Sequence, residues 1–313
     1  MPSDEPNPNV YAVARPEEQV KTHLSSYVAL LHELCIYGSN FLDNCLKDQS
    51  GKLEDEVILI CFLRQFLVNL DAIYVLLSKG CGPASSIHLR VMLEVQIYCK
   101  WMLKEDTAIR ARHYIVWILR KRRRGNEQSD PSTEAGKRFQ AIHEKLAKFR
   151  ERASNPEARA KAAKENRMID RELAKPEFVS INTSFEAKRN KRNFDSPWYA
   201  LHDIKSIGEL AKKVGMESEY AMLYSKYSED MHSTNFFDHR HIDESGASIE
   251  QIRALERIDN VISIAVGISV EFFIDLLGHY RRDEISYFRT KYMIEWEKRH
   301  MNIPKVQLNR NIT

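Results

Sequence analysis

Residues 54–103 read EDEVILICFLRQFLVNLDAIYVLLSKGCGPASSIHLRVMLEVQIYCKWML, two long apolar runs on either side of Gly80-Cys81-Gly82-Pro83. The first run, Glu54–Ser78, is too long for a strand and predicts a buried helix stopped by Gly80 and Gly82. Pro83 suits the first turn of the next helix, where its missing N–H costs nothing. So short a link makes the pair an antiparallel helical hairpin. The second helix runs to about Leu103 and carries Arg90 and Glu94 in an apolar setting.

Working outward, Glu17–Leu46 has Val20, Leu24, Val28, Leu31, Leu34 and Cys35 at helical spacing. Ala108–Arg124 continues as helix into the basic run Arg120–Arg124, and Asp130-Pro131 supplies the cap and first turn of the next helix. Thr133–Arg152 and Glu157–Ala174 are rich in Ala, Lys, Arg and Glu with few apolar positions, which predicts an extended arm; Asn155-Pro156 marks the second start. Pro176 to Pro197 reads as irregular. Ile204–Val214 predicts a short helix closed by Gly215, and Ser218 is placed as the cap of a helix to about Thr234. Asn235–Ala247 reads as a polar loop, after which Ser248 and Gln251 form a capping box for a helix to about His279. The stretch after Tyr280 is helical to about His300.

The fold expected is therefore all-α. A helical-hairpin bundle forms a core from residues 17–125 and 198–300, and 126–197 is a basic helical insertion. Residues 1–16 read as a disordered tail and 301–313 as a frayed one. Only 11 Gly and 10 Pro in 313 residues support helix over sheet. The five cysteines, Cys35, Cys45, Cys61, Cys81 and Cys99, form no C-x-x-C pair, so reduced thiols in a cytosolic protein are expected. The N-terminal stretch lacks the apolar segment of a secretory leader. Val57–Leu77 and Val261–Leu277 contain Arg64, Asp71, Glu271 and Asp275, so both read as core helices and no membrane is expected as a partner. Net charge is +3, but Lys104–Arg192 carries +11 against −8 elsewhere. A basic middle on an acidic body is the main charge signal.

Two polar rows interrupt the apolar runs. One is Arg90 and Glu94; the other is Tyr220, Tyr224, Ser228 and His232, spaced every four residues along one helix face. Burying such groups costs free energy unless they are paired. Arg90 with Glu94 reads either as an ion pair pinning helix register or as a guanidinium stabilising an anionic group, with Glu94 orienting it or acting as base. Asn69 and Asp71 on the preceding helix could complete that network. His232 is suited to proton transfer near neutrality, with Tyr224, Ser228 or Asp230 setting its tautomer; it is equally a satisfied structural histidine.

Three features together resemble an uncharacterised, mainly bacterial helical family, domain-of-unknown-function family 5677. They are Leu89-Arg90-Val91-Met92-Leu93-Glu94 after the glycine turn, Trp198 ahead of Ile207-Gly208-Glu209-Leu210-Ala211-Lys212-Lys213-Val214-Gly215, and Tyr220-x-x-x-Tyr224-x-x-x-Ser228-x-x-x-His232-Ser233-Thr234. The resemblance covers roughly residues 55 to 275 and is interrupted by the basic middle. It implies an all-helical fold, points to the same polar residues and supplies no reaction. Its hairpins also look broadly like the HEPN class of toxin and antiviral ribonucleases, an analogy of fold alone. The Arg-x(4–6)-His spacing of that class occurs once, at Arg138 and His143, a match chance would produce.

No P-loop, G-x-G-x-x-G, H-E-x-x-H or G-x-S-x-G motif occurs, so nucleotide-cofactor and serine-hydrolase chemistry are excluded from the expectation and no cofactor is called for. His239 and His241 with Asp238, Asp243 and Glu244 could hold a metal, but Arg240 between them repels a cation, and no metal site is assigned. Arg120, Arg122, Arg123, Arg124, Lys188, Arg189, Lys191 and Arg192 could neutralise phosphates without reading sequence, or form a solvated charge-paired helical surface. The leading expectation is a cytosolic, nucleic-acid-associated effector, a metal-independent ribonuclease of toxin or phage-defence type. Its site would be Arg90, Glu94, Tyr224, Ser228 and His232, its partner RNA or another nucleic acid. The alternatives are a non-catalytic helical interaction module and a small-molecule metalloenzyme; a homodimer is compatible with each.

Overall fold

The computed structural model describes residues 11, 13–47, 54–142, 155–188, 195–224, 240–243, 246–249 and 251–306. Among the described residues the chain is all-α apart from one antiparallel pair of short strands, and it divides into two compact units, Met1–Glu105 with Ile207–Thr313, and Asp106–Ser206.

The first unit is built on α3 (Glu54–Ser78) and α4 (Gly82–Lys104), the expected hairpin, with α1 (Ala14–His23) and α2 (Ser25–Lys47) leading into it. On α3 the buried residues Leu59, Leu63, Phe66, Leu70, Ile73 and Leu77 alternate spacings of four and three, which draws one apolar stripe down the helix. Gly80 ends α3 in the left-handed region at φ +69, which a residue without Cβ adopts freely. The Gly80 N–H then donates to the Leu77 carbonyl (3.0 Å) and the Cys81 N–H to that of Leu76 (2.9 Å), satisfying two end carbonyls. Pro83 takes the first turn of α4. Opposite α4 lies α10 (Ile258–Tyr280), whose Phe272 stacks on Phe66 with ring centroids 4.1 Å apart. Gly38 lets α2 approach: a Cβ there would collide with Leu67 and Phe273. Val57–Ser78 and Ile258–Tyr280 are long and apolar enough to cross a membrane, and about half of each (50% and 56%) is buried within this fold.

After Ser206 come α9 (Ile207–Lys213), closed by Gly215 at φ +75, then a short turn Glu217–Glu219 and a π-helical segment Tyr220–Tyr224. Ser218 lies inside that turn rather than capping it, because the helical residues already begin at Glu217. Two further expectations are corrected here. Arg240–Asp243 (β1) pairs antiparallel with Gly246–Ile249 (β2), Arg240 opposite Ile249, where a loop and a capping box were expected. Ser248 is therefore a strand residue, and α10 begins only at Ile258, after Arg257 in the left-handed region. Beyond α10 come α11 (Ile285–Lys291), a π-helical turn Tyr292–Trp296 and α12 (Glu297–Met301), as the helical tail predicts.

The second unit has α5 (Thr107–Ser129) as its spine, against which α6 (Glu134–Ile142), α7 (Pro156–Leu173), α8 (Pro176–Ala187) and a 3-10 turn at Trp198–His202 pack. The insertion expected at 126–197 lies inside this unit, which also takes in α5 and the turn at Trp198. Ala111, Val116 and Arg120 of α5 bury with Ile169, Leu173, Phe178, Ile181, Phe185 and Trp198, so α5 belongs with the insertion and the insertion has a core. The stretch after Pro176, expected to be irregular, is helical because Phe178, Ile181 and Phe185 share a face. Asn155 accepts from the N–H groups of Glu157 and Ala158, as its place before Pro156 predicts. The tails expected at 1–16 and 301–313 fall mostly outside the described residues.

Candidate functional site

α4 carries Arg90 and Glu94 one turn apart. The Arg90 Nε donates to Glu94 Oε1 at 3.3 Å, and the two side chains are 12% and 29% exposed. Burial is thus greater for the guanidinium than for the carboxylate, and the pair sits at the edge of the core. The Asn69 and Asp71 network does not form around it. Asn69 donates to the Gln65 carbonyl (2.8 Å), and its Oδ1 meets His88 Nδ1 at 3.0 Å. A carboxamide oxygen only accepts, so His88 carries its proton on Nδ1. Burial holds His88 below the usual imidazole range. Asp71 faces outward on α3.

The segment Tyr220–Tyr224 packs against α4, and the Tyr220 ring lies over Gly208, where a Cβ would come within 3.0 Å of its edge. The four-residue row therefore starts beside the helix that bears Arg90. Its backbone is π-helical at the start, so the α-helical period behind the row does not apply to its first turn. The side chain of Tyr224, and all of Ser228 and His232, lie outside the described residues, as do His239 and the side chain of His241. Among the described residues no group of three or more His, Cys, Asp or Glu side chains converges as metal ligands would.

Further along α4, Gln96 Nε2 donates to Glu271 of α10 at 3.2 Å, and Lys100 Nζ stands 2.9 Å from Asp275. Burial raises the Asp275 carboxyl above the usual range, with Lys100 opposing that rise. In the same unit a cleft of about 430 Å³ is walled by Tyr37, Tyr287 and Trp296 and edged by Glu33, Lys291 and Glu295. Its charges are spent on one another: Arg299 grips both Glu33 oxygens (2.7 and 2.6 Å), Trp296 Nε1 donates to Glu33 (3.0 Å), and Lys291 pairs with Glu295.

In the second unit several of the basic residues expected to meet nucleic acid are engaged by carboxylates of the same unit. Arg120, expected as a nucleic-acid contact, is only 5% exposed, and that assignment is corrected. Its Nε and Nη2 fork onto Asp195 (3.1 and 2.7 Å), while Nη1 donates to Glu186 (2.8 Å) and to Asn182. The Phe185 ring lies 5.8 Å from the guanidinium carbon. Arg122 pairs with Glu165 (2.8 Å), Arg123 with Glu127 and Asp170 (3.1 and 3.2 Å), and Lys188 with Asp203 (3.2 Å) and the Ala200 carbonyl. Arg124 is half-buried on α5. Arg189, Lys191 and Arg192 lie outside the described residues.

One polar pair in this unit escaped the sequence reading. His113 Nδ1 and His202 Nε2 stand 3.0 Å apart, joining α5 to the 3-10 turn. Burial, with the neighbouring charges of His202 and Arg110, pushes His113 down to about 4. Two imidazoles 89 positions apart leave no local signature; the adjacent Trp198, part of the quoted resemblance, is the one hint of their meeting place.

No curated protein and no solved structure matches this chain. The likeness to HEPN ribonucleases accordingly gains no support. The model of one family, described as a family of unknown function, matches residues 56–249, which span the α3–α4 hairpin, Arg90, Glu94, Trp198 and the tyrosine row. That match takes in more than half of the chain, which belongs to the DUF5677 family.

Proposed function

We propose that this protein is a cytosolic, RNA-directed effector, a metal-independent ribonuclease whose reaction centre lies where α4 meets the segment beginning at Tyr220. The observation that supports this reading is the packing of Tyr220–Tyr224 on the helix that holds Arg90, already oriented by Glu94. A half-buried guanidinium kept in place by a carboxylate is suited to the charge that grows on a phosphodiester under attack. His232, eight residues beyond Tyr224 in sequence, would move the proton between attacking and leaving oxygens, with Tyr224 and Ser228 positioning it. RNA cleavage by the purified chain tests this, with EDTA present and with a folded His232→Ala variant alongside. The expected result is cleavage that survives EDTA and falls at least about 100-fold in the variant. Intact RNA in the wild-type reaction rejects the reading.

A second reading, a non-catalytic interaction module, draws on the second unit. There Arg120, Arg122, Arg123 and Lys188 are engaged by carboxylates of the same chain, which ties up part of the basic set in internal pairs. Weak, strongly salt-dependent RNA binding favours the first reading; tight protein association without RNA binding favours the second.

A further inference from the structure

α3 has a second stripe, on the face opposite its buried one. Val57, Cys61, Arg64, Val68, Asp71 and Val75 are all exposed, again at alternating spacings of four and three. The three valines are 50%, 49% and 47% exposed, on a helix whose remaining apolar residues are mostly in the core. Spacing of this kind keeps a seam of side chains aligned with a neighbouring helix over several turns. Among the described residues, Arg64 and Asp71 form no ion pair or side-chain hydrogen bond within the chain.

The order of these residues says what fits. Arg64 and Asp71 flank Val68 on either side. Laid on a second copy of itself in antiparallel sense, with a two-fold axis at Val68, the stripe is self-complementary. Arg64 falls beside the partner's Asp71 and Asp71 beside the partner's Arg64. Val68 meets the partner's Val68, and Cys61 meets the partner's Val75. A parallel pairing would set arginine beside arginine and aspartate beside aspartate, which is unfavourable. A lipid surface fits less well, since both charges lie in the middle of the apolar stripe.

We propose that the outer face of α3 is a homodimer surface, on which two copies of this chain pair antiparallel about a two-fold axis at Val68. This stands independently of any catalytic reading. One helix pair covers less than the roughly 1,200–2,000 Å² of a standard interface, so a micromolar dissociation constant is expected.

Sedimentation velocity of the full chain from about 1 to 100 μM at low salt reads the assembly directly. A concentration-dependent dimer is expected, weakened at least about tenfold by Arg64→Asp alone and by Asp71→Arg alone. The double exchange R64D/D71R restores it, because the two-fold pairs each new aspartate with a new arginine. Thermal melts confirm that these exposed substitutions leave the fold intact. Val68→Cys with Cys61→Ser, mildly oxidised, should give a disulfide-linked dimer. The native Cys61 should not, since it lies about 21 Å along the seam from its counterpart. A monomer at 100 μM overturns the proposal, as does a dimer indifferent to both single exchanges or one cross-linked through native Cys61. Association only with phosphatidylglycerol vesicles, in a chain otherwise monomeric, overturns it in favour of a membrane surface.

Discussion

Arg120→Met is expected to remove about 3–5 kcal/mol of stability from the unit spanning Asp106–Ser206. The methionine fills much of the space taken by the arginine stem, so the loss is electrostatic rather than a cavity. The guanidinium is 4% exposed, and Asp195, which it grips with two hydrogen bonds, is 11% exposed. Removing the cation takes two charge-assisted hydrogen bonds from that carboxylate in a poorly solvated position, and Asn182 also loses its bond to the guanidinium. Hydrogen exchange read by mass spectrometry over α5, α7 and α8 measures the change in this unit alone. Arg120→Lys should fall between, because an ammonium cannot reproduce the fork onto Asp195. The double variant Arg120→Met/Asp195→Leu should regain a large part of the loss, as replacing a whole buried pair by apolar groups often does. A loss below about 1 kcal/mol for Arg120→Met would place the cluster with ordinary surface ion pairs.

Acidification should loosen the same unit through His113. Its folded pKa of about 4 lies below the ordinary 6.5, so as pH falls the unfolded chain takes up a proton first. The stabilisation is therefore complete above pH 6.5 and is lost as pH falls through the window down to about 4. The full shift corresponds to about 3 kcal/mol, and partial solvent access reduces the expected effect to about 2 kcal/mol. Carboxylates begin to titrate near the lower edge of that window. Comparison with His113→Gln isolates the imidazole, since the amide keeps a hydrogen-bonding group towards His202 and carries no charge. The variant should be somewhat less stable at pH 7 and show a flatter decline between pH 6.5 and 4.5. Equal slopes for the two proteins, by hydrogen exchange or thermal melting, would remove His113 from the account.

Much of the fold is legible in the sequence because its determinants are local. The alternating spacing of Leu59 to Leu77, the glycines at 80 and 215, Pro83 and the Asn155-Pro156 start each act on their own turn of backbone. Sequence and structure part where local signals are ambiguous. Ser248 and Gln251 have the letters of a capping box, yet pairing with β1 draws Ser248 into a strand. The apolar face of α8 has only three members, so the polar and basic residues around Phe178, Ile181 and Phe185 obscure it.

The candidate site divides in the same way. Arg90 with Glu94 is a one-turn relation, and its partial burial is legible from the apolar residues around it. Arg120 looks like one more cation in a basic run, and nothing near it in sequence marks it as the buried one. Its partners lie 62 to 75 positions away, and only the packing of α8 and the approach to Trp198 bring them to it. The same holds for His113 with His202 and for Gln96 with Glu271. By itself, then, the sequence determined most of the helices, the turn at Gly80 to Pro83 and the stripe that α3 buries, because backbone sterics and amphipathic period depend on near neighbours. The tertiary structure alone decided which charges are spent inside the fold and which remain on its surface, because pairing energy depends on separations that only the packed chain defines.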